Sequence, residues 1–105
     1  MIETIDATRL KEKRDANEDF VLLDVRSQEE FQLVNIGGTH IPLQDLPERF
    51  RELSEKTPIV VLCHHGVRSE QAASFLEAKG FKEVSHLDGG IDSWAIEVEP
   101  DLLRY

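Results

Sequence analysis

A chain of 105 residues with 40% hydrophobic and 31% charged positions has the size and balance of one globular domain, residues 1–105. Its formal net charge of -9 argues against a nucleic-acid partner, because phosphate binding needs clustered Lys and Arg. One cysteine excludes an internal disulfide framework and a cysteine-rich zinc site, and the longest apolar run, Ile59 to Cys63, is too short to span a bilayer.

The elements read in chain order as follows. Ile2 to Ile5 is a short strand candidate. Asp6 is placed to cap a helix over Ala7 to Asp15, with Leu10 on its apolar side. Phe20 to Val25 is a near-continuous apolar run, the mark of a strand covered on both faces. Ser27 and Glu30 have capping-box spacing, so a short helix should run to about Val34. Gly37-Gly38 ends it, and Thr39-His40-Ile41 reads as a short strand stopped by Pro42. Pro47 suits the first turn of a helix reaching about Leu53, with Phe50 and Leu53 on one face. After Pro58, Ile59 to Leu62 is a buried strand. Ser69 should cap a helix that turns Ala72, Ala73 and Leu76 to one side and Glu70, Gln71 and Glu77 to the other. Gly80 follows as its left-handed stop, with Phe81 as the apolar residue beyond. Val84 to Leu87 is the fifth strand. Asp88-Gly89-Gly90 turns into a last helix from Ile91 to about Val98. Strands alternating with helices predict an α/β fold: a central, mostly parallel five-stranded sheet with helices on both faces. Ligands bind such sheets at the carboxyl ends of strands, where Cys63 falls.

A free cysteine after an apolar strand is often an inert core residue. The surroundings of Cys63 argue otherwise. Gly66 permits a tight loop whose backbone N–H groups turn inward, so those from His64 through Gly66 and Val67 to Ser69 become candidates for holding an anion. Arg68 supplies a fixed positive charge, and His64 and His65 can add a proton donor or partial charge. A helix beginning at Ser69 aims its dipole at the sulfur. The histidine pair is a weak metal signal with no third ligand nearby in sequence, so no metal and no cofactor are expected. Asp24 and Arg26 read as a structural ion pair, Trp94 as packing, and Gly89-Gly90 as a tight turn. His40 and His86 have no visible partner in the sequence and receive no role.

Cys63-His64-His65-Gly66-Val67-Arg68-Ser69 after a hydrophobic strand resembles the active-site loop of rhodanese-type sulfurtransferases. The likeness extends in order along the chain: Leu22-Leu23-Asp24-Val25-Arg26 followed by Glu29-Glu30-Phe31, then Ile41-Pro42-Leu43, then Asp88-Gly89-Gly90-Ile91 with Trp94. The stretch Val34 to Thr39 departs from the usual Gly-His-Ile-Pro-Gly-Ala and is about one residue shorter. The C-terminal part is similar to the rhodanese domains of adenylating enzymes that serve molybdopterin, thiamine or tRNA thiolation. The resemblance implies a rhodanese-like fold and sulfane-sulfur transfer from a donor such as thiosulfate to a nucleophilic acceptor through a Cys63 persulfide. It makes Arg68, helped by His64, His65, Gly66, Val67 and Ser69, the anion-binding set. Implied partners are a small anionic sulfur donor and a thiophilic acceptor, with a cysteine desulfurase or a sulfur-carrier protein as protein partners. The alternatives are a rhodanese-fold phosphatase or arsenate reductase, and a non-enzymatic sulfur-relay or interaction module. Related phosphatases space their loop Cys-x5-Arg, whereas four residues separate Cys63 from Arg68, leaving less room for a tetrahedral phosphate. Met1-Ile2-Glu3-Thr4 lacks the basic and apolar regions of a signal peptide, so neither export nor a membrane is expected and the location reads as cytoplasmic.

Overall fold

In the computed structural model, which describes residues 2–105, strands Glu3–Ile5 (β1), Val21–Asp24 (β2), Thr39–His40 (β3), Ile59–Leu62 (β4) and Val84–Leu87 (β5) form one sheet. Their order is β1-β5-β4-β2-β3. Every neighbouring pair is parallel, so the expected "mostly parallel" sheet is wholly so. β4 lies at the centre with all its residues buried, which is why it carries the unbroken run Ile59-Val60-Val61-Leu62.

Two apolar layers cover the sheet. On one face, helices Ala7–Asp15 (α1) and Gly90–Glu97 (α5) bring Ala7, Leu10, Ile91 and Trp94 onto Leu22, Val60, Leu62 and Leu87. On the other, helix Val67–Ala78 (α4) brings Ala72, Ala73 and Leu76 onto Leu23, Val61 and Ile59. Helices Gln28–Leu33 (α2) and Leu46–Arg49 (α3) complete the set. No helix of the described residues is long and apolar enough to cross a membrane.

Local chemistry sets most boundaries. Asp6 caps α1 by accepting the Arg9 N–H at 2.8 Å. Ser27 and Glu30 close the expected capping box on α2. α4 ends in a Schellman motif: Gly80 N–H bonds Glu77 O and Phe81 N–H bonds Leu76 O, each at 3.1 Å. Two expectations need correcting. The single helix foreseen from Pro47 to Leu53 is instead a short helical staircase, with 3-10 turns at Leu43–Asp45 and Phe50–Glu52 on either side of α3. Phe50 and Leu53 both pack against the core, although Leu53 itself has left helical backbone. Ser69 is not the cap of α4. The left-handed backbone of Gly66, φ +117, turns the chain straight into the helix, which begins at Val67.

Beyond β2 a fully buried ion pair fixes the chain. Arg26 Nη2 lies 2.6 Å from Asp24 Oδ2 and Arg26 Nε 2.9 Å from Asp24 Oδ1, both side chains being 0% exposed. The same guanidinium donates to Val34 O at 2.8 Å and Glu30 O at 3.3 Å, closing α2 against β2. Removing one partner strands the other charge in the core. Asp24→Ala should therefore lower stability by about 3–5 kcal/mol, read as a loss of denaturation midpoint; a change near zero would show that the pair does not hold this corner.

Candidate active site

β2 is followed by β3 on one side and β4 by β5 on the other, so the connections leaving β2 and β4 diverge and open a crevice at the carboxyl edge of the sheet. Cys63 stands there, directly after β4. The Gly66 turn brings its own N–H to 3.0 Å from Cys63 Sγ, and the first turn of α4 brings the Ser69 N–H to 3.3 Å. The thiol lies 3.5 Å from Ser69 Oγ, which itself donates to Gly66 O at 3.0 Å. Cys63 is 1% exposed, so its sulfur lies at the floor of the loop, almost out of contact with solvent.

Turning N–H groups inward turns carbonyls outward. Those of Cys63 and His64 accept the Ile91 and Asp92 N–H groups from the start of α5, at 2.8 and 3.3 Å. A Cβ on Gly90 would stand 2.5 Å from Cys63 O and closer still to His64 O. Gly90, read from sequence as a turn residue, is there because backbone meets backbone.

The anion-binding set divides in the structure. Gly66 and Ser69 face the sulfur through their N–H groups. The Val67 side chain is 72% exposed beside the loop. Arg68 turns across the crevice to Glu30 on α2 in a two-pronged pair of 2.5 and 2.9 Å. Glu30 also accepts the Tyr105 hydroxyl at 2.6 Å, and that oxygen accepts from buried Arg26 at 3.1 Å. Hydrogen bonds from Arg68 first, then from Tyr105 and the Ser27 backbone, hold the Glu30 carboxyl far below the usual carboxylate range against the opposing effect of burial. Glu30 in turn raises the Arg68 value. The Tyr105 ring stacks on His64 at 3.8 Å, and His64 stacks on His65 at 3.9 Å. Burial first, then the neighbouring His65, lowers the His64 value, favouring its neutral form. His64 Nε2 is buried without a hydrogen-bond partner.

Folding supplies the histidine pair with the carboxylate that sequence proximity lacked: ligand atoms of His64, His65 and Asp92 lie within 4.8 Å of one another. The two imidazoles are nevertheless stacked with 26° between their planes, and Arg104 already engages both Asp92 oxygens at 2.7 and 3.3 Å. This arrangement suits packing better than tetrahedral coordination.

Sequence reasoning passed over three residues at this site. Glu30 carried a visible signal, its capping-box place at the mouth of β2. Tyr105 and His86 carried none, being brought in from the last residues and the fifth strand. His86 Nδ1 lies 3.1 Å from Ser69 Oγ, while His40, also unassigned, bonds Arg26 O at 2.7 Å and stacks on Phe31.

The Rhodanese-like domain family matches residues 6–97. The chain belongs to the rhodanese-like family. Among its relatives is a Bacillus subtilis protein named "Putative sulfur carrier protein YrkF", 38% identical over 93% of this chain and 54% of that protein. Another is the maize adenylyltransferase and sulfurtransferase MOCS3-1, 36% identical over 90% of this chain and 22% of the maize protein. The chain thus spans about half of the first relative and about a fifth of the second. A solved rhodanese-related protein from Thermoplasma volcanium superimposes with a TM-score of 0.84 at 32% identity, covering 98% of this chain and 99% of its own. The adenylyltransferase–sulfurtransferase likeness expected from the C-terminal part is therefore present, and sulfurtransferases are this rhodanese domain's relatives.

Tyr105 is the one tyrosine in the chain, so its docking can be read spectroscopically. Burial, aided by Glu30 and opposed by Arg26, pushes its phenol up to about 12. The folded value lies above the ordinary value of about 10, so its stabilising effect holds below that pH and fades as pH rises through the folded value. Ultraviolet titration of the phenolate band should give a midpoint close to 12. A midpoint near the ordinary value would place Tyr105 in solvent.

Proposed function

We propose that this rhodanese domain transfers sulfane sulfur through a persulfide on Cys63. The observation that carries the reading is the pair of backbone N–H groups, from Gly66 and Ser69, directed at Sγ. The Cys63 thiolate attacks the outer sulfur of the donor. A new S–S bond forms, the donor's own S–S bond breaks, and its electron pair leaves with sulfite or a thiolate. A nucleophilic acceptor then attacks the terminal sulfur, and Cys63 departs as a thiolate held by the same two donors. Arg68 would draw an anionic donor to the crevice. A reducing, cytoplasmic setting would keep the thiol free for this cycle.

Intact-mass measurement after exposure to thiosulfate or an organic persulfide tests the reading. One added sulfur atom is expected on the native protein and none on Cys63→Ala. A native protein that stays unmodified by every donor, yet hydrolyses an aryl phosphate in a Cys63-dependent way, would replace sulfur transfer with phosphatase chemistry.

The Glu30–Arg68 pair bears on the donor. A dianion such as thiosulfate meets a guanidinium whose charge is already shared with a carboxylate, in a chain of net charge -9. That favours persulfide delivery by a protein, such as a cysteine desulfurase or sulfur carrier, in keeping with the names of the two relatives. Glu30→Gln retains an oxygen for the Ser27 cap while removing the countercharge. It should lower KM for the dianion thiosulfate by about three- to tenfold and lower KM for a singly charged organic persulfide by less; equal changes in both would show that Glu30 sets loop shape and not charge.

A further inference from the structure

His86 is buried in β5, 5% exposed, and sits behind the reactive loop with its two nitrogens turned to different neighbours. Nδ1 is 3.1 Å from Ser69 Oγ, and Ser69 Oγ is 3.5 Å from Cys63 Sγ. Nε2 is 3.9 Å from Glu70 Oε2 on α4. Sulfur, hydroxyl and imidazole therefore form a hydrogen-bonded line leading in from the crevice, and the exposed Glu70 carboxylate stands beyond hydrogen-bond distance at its far end. The loop closes over it: a Cβ on Gly66 would lie 3.9 Å from His86 Cε1. Its register partners, Thr4 on β1 and Val61 on β4, bring no titratable group. The groups that do face the same shallow hollow are Glu70, Asp88 at the end of β5 and His65 from the loop.

We propose that His86 is a positioning residue for Cys63, holding through Ser69 the proton that the thiol releases. The proposal rests on the reading that Cys63 is the reacting nucleophile. In the resting state Nε2 carries its proton on the side of Glu70, and Nδ1 competes with Gly66 O for the one hydroxyl proton of Ser69, which lies within reach of both. On ionisation the Cys63 S–H bond breaks and its proton passes to Ser69 Oγ, while the original hydroxyl proton passes to Nδ1. The products are a thiolate, an intact serine and an imidazolium facing Glu70; charge and protons balance without a co-reactant. Nδ1–H now donates to Ser69 Oγ, which leaves the serine proton to choose between Gly66 O and the sulfur. The thiolate, bearing full charge, is the stronger acceptor. The sulfur thus gains a third donor beside the Gly66 and Ser69 N–H groups at the moment it becomes a nucleophile, and again when it leaves as a thiolate from the persulfide.

The rate of Cys63 alkylation by iodoacetamide across pH tests this without any sulfur donor. His86→Phe, which fills the space but can neither donate nor accept, should slow alkylation at neutral pH about tenfold, as expected for one charge-assisted hydrogen bond. His86→Asn, which can donate to Ser69 but cannot hold a second proton, should also shift the profile to higher pH. Because His86 acts through Ser69, adding either substitution to Ser69→Ala should slow alkylation no further than Ser69→Ala alone. Superimposable profiles for native protein and His86→Asn would overturn the proposal, as would effects of His86 and Ser69 that simply add. Should His86→Phe fail to fold, the Asn cycle decides alone. Intact-mass sulfur loading, run in parallel, separates the two questions: a protein that loads no sulfur but shows the non-additive alkylation cycle refutes sulfur transfer and leaves the His86 linkage standing.

Discussion

The antiparallel disposition of N–H and C=O in every peptide unit is the constraint from which this site follows. A loop that aims N–H groups at a central sulfur must aim carbonyls outward, and buried carbonyls need donors. The start of α5 provides them, with Ile91 and Asp92 bonding Cys63 O and His64 O. The same contact satisfies N–H groups that the first turn of any helix leaves without an internal partner. Two sets of orphan groups, one on the loop and one on the helix, thereby cancel. The approach needed is so close that position 90 has room for no side chain, and its positive φ of 64 adds a second reason for glycine.

A second layer of the site is built around Arg26. Its guanidinium is buried against Asp24, reaches the carbonyls of Glu30 and Val34, and touches the Tyr105 hydroxyl. Burying so many donors requires that each find an acceptor, and together those acceptors fix where α2 begins relative to β2. Glu30 is thus presented to Arg68 by a rigid support and not by a flexible surface loop. The parallel topology explains why the two meet at all: the connections leaving β2 and β4 part at the crevice, so the first turn of one helix faces the first turn of the other.

Much of this was legible in the sequence. Cap residues and apolar runs act locally, so Asp6, the Ser27–Glu30 box, Gly80 and the strand Ile59–Leu62 could be read directly. Cys63, Gly66 and Ser69 were legible for the same reason, since contiguous residues form the loop. What escaped depends on distance along the chain. The Arg68–Glu30 pair joins residues on α4 and α2, the His86–Ser69 bond joins β5 to α4, and Tyr105 returns from the last residues to cover His64. Arg68 looked like an unpaired cation because its partner is supplied by the sheet order. The start of α4 was misplaced because serine is a frequent cap, whereas here a left-handed glycine does the turning.

That misplacement leads to a coupling between helix and sulfur. α2 is closed by a full capping box, but α4 has no side-chain cap of its own, because Gly66 at that position has none to offer. A capping side chain ordinarily accepts the N–H of the second or third helical residue. Ser69 is the third residue of α4, and its N–H goes to Cys63 Sγ. The sulfur is therefore the N-cap acceptor of α4, reaching the helix from the strand before it. A neutral thiol is a weak acceptor and a thiolate a strong one. Either form of the sulfur ties the end of β4 to the start of α4 through the Ser69 N–H. Leaving this helix end without a conventional cap makes the sulfur part of the fold's own hydrogen bonding, so the loop and the start of α4 are held through one atom.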